Sequence, residues 1–107
     1  MLLTQKFCFT HSSGEDIFLF TLRNTQGTEV SITNYGAIIC SFKKKNNDGI
    51  VNDIVLGFDK TEEYMSPEYQ KQRPCFGSAI GRYANRIQNA TFKIDDKKYL
   101  LSKNLGN

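Results

Sequence analysis

Ile17-Phe18-Leu19-Phe20-Thr21-Leu22, then Asn24-Thr25-Gln26-Gly27, then Glu29-Val30-Ser31-Ile32-Thr33 is the stretch that sets the period of this chain. The first run is rich in β-branched and aromatic residues, which suit a pleated, half-buried surface. The last run alternates polar and apolar, as a strand with one buried face does. The polar tetrapeptide between them reads as a turn. The period is two rather than 3.6, so the stretch predicts two antiparallel strands.

The same period continues outward. Asn34-Tyr35-Gly36 interrupts it, with Gly36 at a place where the backbone needs a conformation or a close approach that a side chain would block. Residues Ala37 to Lys43 read as a further strand. Asn46-Asn47-Asp48-Gly49 is a hairpin turn, because Asn, Asp and Gly tolerate positive φ, and Asn52 to Phe58 is its return strand. A short helix is expected to start within Asp59 to Tyr64, capped by Asp59 or Thr61 and stopped by Ser66-Pro67. Residues 66–76 read as a loop. Residues 90–94 and 97–101 alternate on either side of Asp95-Asp96, a second hairpin. The expected class is all-β: an antiparallel sandwich of short strands with one short helix.

Composition narrows the function. The chain has 107 residues, 39% hydrophobic and 23% charged, which fits a soluble globular protein. No apolar run approaches the ~20 residues that span a bilayer, and Met1-Leu2-Leu3 is too short for a signal-peptide core. Fourteen basic and eleven acidic residues give a net charge of +3, too small an excess to argue for nucleic acid. Lys43-Lys44-Lys45 reads as a solvated hairpin end. Cys8, Cys40 and Cys75 lack C-x-x-C spacing, so neither a disulfide framework nor a zinc site is indicated. They read as mostly buried thiols in a reducing cytoplasm. Asn89-Ala90-Thr91 matches a glycosylation sequon, taken as chance without a secretion signal. One histidine, His11, rules out a histidine-rich metal site and a two-histidine acid–base pair, and no metal or cofactor is implied.

Gly-x-Gly-x-x-Gly, the Walker loop and His-x-x-x-His are absent, and Gly77-Ser78-Ala79-Ile80-Gly81 misplaces the serine for a nucleophile elbow. The stretch that stands out is Gly81-Arg82-Tyr83-Ala84-Asn85-Arg86-Ile87. Arginine brings five donors in a planar fork, and asparagine both donors and an acceptor. Such a set suits a polyhydroxylated ligand such as a sugar, or a carboxylate or phosphate. It also suits an arginine that pairs with a nearby acid to hold a loop.

That stretch resembles the Gly-Arg-x-Ala-Asn-Arg-Ile signature of the aldose 1-epimerases, also called galactose mutarotases. Ile32-Thr33-Asn34-Tyr35-Gly36-Ala37 is similar to the family's "TNYGA" strand and turn. Asp48-Gly49 with Asp53-Ile54-Val55-Leu56-Gly57-Phe58 is similar to its "DG…DVVLGF" hairpin, and Thr61-Glu62-Glu63-Tyr64 to the short helix after it. Phe92-Lys93-Ile94-Asp95 with Lys97 and Tyr99 resembles its "F-x-[IL]-D-G-K-x-Y" hairpin, with Asp96 in place of the turn glycine. The resemblance runs from about Thr28 to Asn107.

The resemblance implies a galactose-mutarotase-type β-sandwich that interconverts the α and β anomers of free aldoses. A base takes the anomeric hydroxyl proton, an acid protonates the ring oxygen, and the ring opens, rotates and recloses. It implies that Asn85 and Arg86 contact the sugar, with an aldose as the small-molecule partner, no cofactor, no nucleic acid and no membrane. The family's acid and sugar-binding histidines and its basic glutamate have no counterpart here. Asn104-Leu105-Gly106-Asn107 resembles the lead-in to the Leu-His-Gly-Gly motif that carries one of those histidines. Residues 1–107 are therefore expected to be the N-terminal portion of one larger sandwich, cut before its catalytic residues. Such a piece should leave a sheet face uncovered, self-associate or be unstable, and lack activity. Two other classes remain open: a carbohydrate-binding sandwich without catalysis, and a small partner-binding β-domain with structural arginines. Neither the preferred aldose nor the oligomeric state is legible.

Overall fold

The two runs that set the period form adjacent antiparallel strands. The computed structural model describes residues 1–104. Asp16–Arg23 (β2) and Glu29–Thr33 (β3) pair with Phe20 opposite Ile32 and Leu22 opposite Val30. Between them Asn24 Oδ1 accepts from the Gln26 and Thr28 amides at 3.0 and 2.9 Å, so the turn is closed by its own side chain. Ile38–Lys45 (β4) and Val51–Asp53 (β5) continue the sheet. Asn46 repeats the device of Asn24, accepting from Asp48 and Ile50. Leu2–Thr10 (β1) completes the sheet, whose order β1-β2-β3-β4-β5 is a plain antiparallel meander. β1 has no counterpart in the sequence reading, because Thr4-Gln5-Lys6 hides its alternation. Its pairing with β2 carries a bulge between Phe7 and Phe9.

Three expectations change at the end of this sheet. The return strand stops at Asp53 rather than reaching Phe58. The Asp53 carboxylate accepts from the Phe42 and Val55 amides at 3.0 and 3.1 Å, so a side chain replaces the next main-chain acceptor and the ladder ends. Burial alone would raise the Asp53 pKa, but these two amides outweigh it and hold the carboxyl below its usual range. Next, Asp59 to Tyr64 does not open an α-helix. Thr61–Met65 makes a 3₁₀ turn with Lys60, not Asp59 or Thr61, at its N-cap. Finally, Ser66 ends the 3₁₀ turn at its C-cap, as expected of a stop, but Ser66-Pro67 also starts a second helix where a loop is expected. Pro67–Gln72 (α1) has proline in its first turn, where the missing N–H costs nothing, and Ser66 Oγ accepts from the Tyr69 amide. The helix ends at Arg73 in the left-handed region, φ 46°, just before Pro74. The loop expected over 66–76 thus contains the one α-helix among the described residues.

Pairing sorts the side chains onto two unlike faces. On one, Arg23, Glu29, Lys43 and Asp53 lie opposite one another across four strands, with Lys43 Nζ 3.6 Å from Glu29. Behind that row Thr4, Thr21, Ser31 and Ser41 line up, and Thr21 and Ser31 hydrogen-bond at 2.9 Å. Behind the hydroxyls the same face turns apolar. Here the 3₁₀ turn and α1 close over it, burying Ile38, Cys40 and Tyr64. The opposite face is mostly apolar across β1 to β4, with Gln5 on β1 and the Lys44–Asn52 pair at the β4–β5 end as its polar members. Leu3, Leu22, Val30 and Phe42 make one row, Phe20, Ile32 and Ile39 with Gln5 a second, and Phe7 and Phe18 a third, their rings 5.9 Å apart.

Thr91–Ile94 (β6) and Lys97–Leu100 (β7) form the second hairpin as expected, turning on Asp95 at φ 51°. Phe92 and Tyr99 stack across it with centroids 5.2 Å apart. It is a separate two-stranded sheet. The radius of gyration is 17.8 Å, against about 13 Å for a compact domain of this size. The described residues thus form an extended, mostly antiparallel β structure with little helix. Of the cysteines, Cys40 is buried and Cys8 half-buried, but Cys75 is exposed, so the expectation of mostly buried thiols fails at Cys75. Burial pushes the Cys40 thiol above its usual pKa, which keeps it protonated and unreactive. Among the described residues no helix is long and apolar enough to cross a membrane.

Candidate functional site

The Asn-Arg stretch is positioned by a short lane of chain beside β4. After α1, Phe76 joins an aromatic cluster with Phe58 and Tyr69, and its amide donates to the Tyr69 hydroxyl at 2.9 Å. Gly77, Ser78 and Ala79 then run along Ala37 to Ile39. The Ile39 amide donates to the Gly77 carbonyl at 2.9 Å, the Ala79 amide to the Ala37 carbonyl at 3.3 Å, and Ser78 bridges Ile38. Gly77 sits at φ 63°, and a Cβ there would run into the Ile39 carbonyl oxygen. This contact holds the lane that leads into Gly81 to Ile87 beside the end of the Asn34-Tyr35-Gly36-Ala37 turn, far away in sequence. Asn34 is itself tied down: its carbonyl oxygen accepts from the Phe18 amide and its amide nitrogen donates to the Asp16 carbonyl. Its role is to anchor the turn between β3 and β4.

Beyond Ala79 the chain leaves the sheet, and residues 81–86 are exposed. Asn85 takes a left-handed backbone, φ 68°, which asparagine adopts more readily than most residues. The Gln88–Ala90 3₁₀ turn follows, with Asn89 at φ 55°. The Leu101 amide donates to the Ala90 carbonyl at 2.8 Å, which brings the end of the β6–β7 hairpin against the loop.

Between these segments lies an open groove of about 410 Å³, lined on one side by Asn85, Arg86, Gln88 and Asn89 and on the other by Leu101, Ser102, Lys103 and Asn104. A second groove of about 730 Å³ has Arg86 on its wall as well, with Tyr83, Phe92 and Lys93. Both volumes are in the range of small-molecule sites, ~300–1,000 Å³. Arg86 therefore stands between two grooves, and Arg82 borders neither.

The first groove presents amide, guanidinium, hydroxyl and ammonium groups, a set rich in directed donors, with the four side-chain amides and the hydroxyl also offering acceptors. Among the described residues no histidine or carboxylate side chain lines either groove. The arrangement can hold a polyhydroxylated or anionic ligand by hydrogen bonds. The loop-holding alternative needs an arginine paired to an acid, and among the described residues neither Arg82 nor Arg86 makes such a pair. Among the described residues the one side-chain ion pair is Lys43 with Glu29. His11 lies in the turn between β1 and β2, its Nδ1 2.8 Å from Ser13 Oγ. Gln88, Asn89, Ser102 and Lys103 were not singled out from sequence. The first two follow the Asn-Arg stretch directly, whereas nothing local marks the last two. Of the expected lead-in Asn104-Leu105-Gly106-Asn107, Asn104 lines the groove and residues 105–107 lie outside the described residues.

Comparison with known proteins decides the family. The family model described as aldose 1-epimerase matches residues 19–107. The chain belongs to the aldose 1-epimerase family. It is 42% identical to galactose mutarotase of Bos taurus over 87 residues, covering 81% of this chain and 24% of that protein. It is 38% identical to aldose 1-epimerase of Escherichia coli K12 over 94 residues, 87% of this chain and 25% of that one. The solved structure of galactose 1-epimerase from Lactobacillus acidophilus NCFM superimposes with a TM-score of 0.64 at 26% identity, covering 98% of this chain and 28% of that chain. This aldose 1-epimerase family chain thus spans about a quarter of the relatives it matches. The match to a galactose epimerase also bears out the fold class expected from strand periodicity.

Proposed function

We propose that these residues form the N-terminal part of an enzyme that interconverts the α and β anomers of free hexoses, with Asn85 and Arg86 as sugar contacts. The observation that carries the reading is the placement of that pair. In an aldose 1-epimerase family chain, Asn85 and Arg86 wall a groove of small-molecule size and make no ion pair among the described residues. A guanidinium aimed at sugar oxygens would bind the ring and stabilise charge developing near its oxygen as it opens. Proton removal from the anomeric hydroxyl and proton delivery to the ring oxygen are assigned to residues outside 1–107, a reading supported by a groove in which no histidine or carboxylate side chain is found among the described residues. Free thiols at Cys8, Cys40 and Cys75 suit a reducing compartment such as the cytosol.

In a family-length enzyme carrying this stretch, Arg86→Ala is expected to lower kcat/KM for galactose anomer exchange by roughly 10- to 150-fold. That corresponds to the ~1.5–3 kcal/mol of a charge-assisted hydrogen bond. Arg82→Ala should cost no more than a few-fold. Polarimetry on the two variants is the test, and equal losses would remove Arg86 from the sugar site. The 107-residue chain alone should not accelerate anomer exchange above the uncatalysed rate. Catalysis by the isolated chain would place the acid and base within it.

A binding-only reading draws on the same groove, without a histidine or carboxylate side chain among the described residues. It predicts galactose-dependent chemical-shift changes at Asn85 and Arg86 in the isolated chain, together with a family-length protein that binds sugar and does not turn it over.

A further inference from the structure

The loop between the Asn-Arg pair and β6 carries an inference about how the two walls of the first groove keep their spacing. Asn85, Asn89 and Ala90 all take left-handed backbones, φ 68°, 55° and 50°. Asparagine visits that region readily, because its short polar side chain can hydrogen-bond locally. Alanine has no such compensation, and its Cβ crowds the following carbonyl oxygen. A left-handed alanine persists where its surroundings over-determine it. Here both backbone polar groups of Ala90 are engaged. Its amide donates to the Ile87 carbonyl at 3.1 Å, and its carbonyl accepts from the Leu101 amide at 2.8 Å.

These two bonds link the walls directly. Ile87 follows Arg86 on one wall, and Leu101 precedes Ser102 and Lys103 on the other. The link is complete within residues 87–101. We propose that Ala90 is a positioning residue for the sugar site: its left-handed backbone turns its carbonyl to the Leu101 amide and so sets the distance between Arg86 and the Ser102–Lys103 wall. The proposal rests on the reading of Asn85 and Arg86 as sugar contacts. A ring held from both sides needs both walls at hydrogen-bond distance at once, and a donor–acceptor separation of about 3.6 Å is no longer a hydrogen bond. Losing the link shifts the far wall and leaves Arg86 on its loop. Binding of the ring therefore weakens more than stabilisation of charge at its oxygen, and the loss falls on KM rather than kcat.

Steady-state galactose anomer exchange in a family-length enzyme carrying this stretch, read together with hydrogen exchange at the Leu101 amide, tests this. Valine is β-branched and strongly disfavoured in the left-handed region. Ala90→Val should open the Leu101 amide to exchange and raise KM about tenfold, the effect of ~1.4 kcal/mol. Its kcat should stay within about threefold. Ala90→Gly takes the same backbone conformation without the strain, so it should raise the thermal midpoint, keep the Leu101 amide protected and rescue KM. Should Ala90→Val fail to fold by circular dichroism, an ester in place of the Leu101 amide removes the donor alone, leaves every side chain in place and should raise KM in the same way. A raised KM with the Leu101 amide still protected would overturn the proposal, because the valine side chain would then be obstructing the groove. An exposed Leu101 amide with KM unchanged would overturn it too, as would a fall in kcat alone. Arg86→Ala in the same enzyme keeps the two readings apart. If it costs nothing, the sugar reading falls and this proposal with it; if it costs activity while the Leu101 ester is silent, only the role of Ala90 falls.

Discussion

Replacing Tyr64 by alanine is expected to cost about 3–5 kcal/mol of stability, the usual range for removing a buried aromatic side chain. Tyr64 is fully buried and packs against Ile38 and Cys40 at the covered end of the sheet. Its ring meets Phe58 and Tyr69 edge-on, with centroids 5.0 and 5.5 Å away. Its hydroxyl accepts from the Phe58 amide at 3.2 Å, and its carbonyl accepts from Gln70 at 2.7 Å. One residue therefore ties the strand exit at Phe58, the 3₁₀ turn and α1 to β4. Few other large side chains are buried, so the loss cannot be shared. Tyr64→Phe keeps the packing and orphans the Phe58 amide, at a cost of about 1–3 kcal/mol. Urea titration of the two variants separates the terms. A midpoint shift worth less than about 1 kcal/mol for the alanine variant would show that the cluster repacks without Tyr64.

Gly77→Ala is expected to destabilise by about 2–4 kcal/mol, from left-handed strain plus a steric clash. The left-handed backbone at φ 63° disfavours any side chain. A Cβ would also press on the Ile39 carbonyl oxygen, with the Ile39 carbonyl carbon only 3.2 Å away. Neither partner can retreat, because the Ile39 amide is hydrogen-bonded to the Gly77 carbonyl. Relief means detaching the lane of residues 77–79 from β4, and with it the support of the Asn85-Arg86 loop. Gly14→Ala is the control. Its φ is 89°, and a Cβ would meet nothing within 4 Å, so only the backbone strain is paid. Thermal midpoints and the hydrogen-exchange protection of the Ile39 amide are the measurements. Protection that survives Gly77→Ala would mean the lane bends without releasing, and the two glycine variants would then cost the same.

Both effects arise at contacts that periodicity does not encode. Alternation marked β2, β3 and β4 because each has a face in contact with the sheet's neighbours, and the Asn24 and Asn46 turns close through local side-chain bonds. β1 was hidden by Thr4-Gln5-Lys6, since an edge strand needs no buried face at that end. The helix after Ser66 was misread for another reason. Proline stops a helix that precedes it and can start one that follows it, and here Ser66-Pro67 does both, while Tyr69 of the second helix packs into the aromatic cluster.

The candidate site divides in the same way. Asn85 and Arg86 stood out as residue types suited to a sugar, and the order of motifs led to the family. That Arg86 faces two grooves and Arg82 neither, and that Ser102 and Lys103 form the opposite wall, follows from the Leu101–Ala90 hydrogen bond between segments separate in sequence. By itself the sequence determined the strand period, the local turns and the chemistry of the donors, because each depends on neighbours within a few residues. Only the tertiary structure decided which face of the sheet is covered and that residues 77–79 run beside residues 37–39. Those outcomes depend on strand register and on one close backbone approach at Gly77, where sequence separation carries no signal.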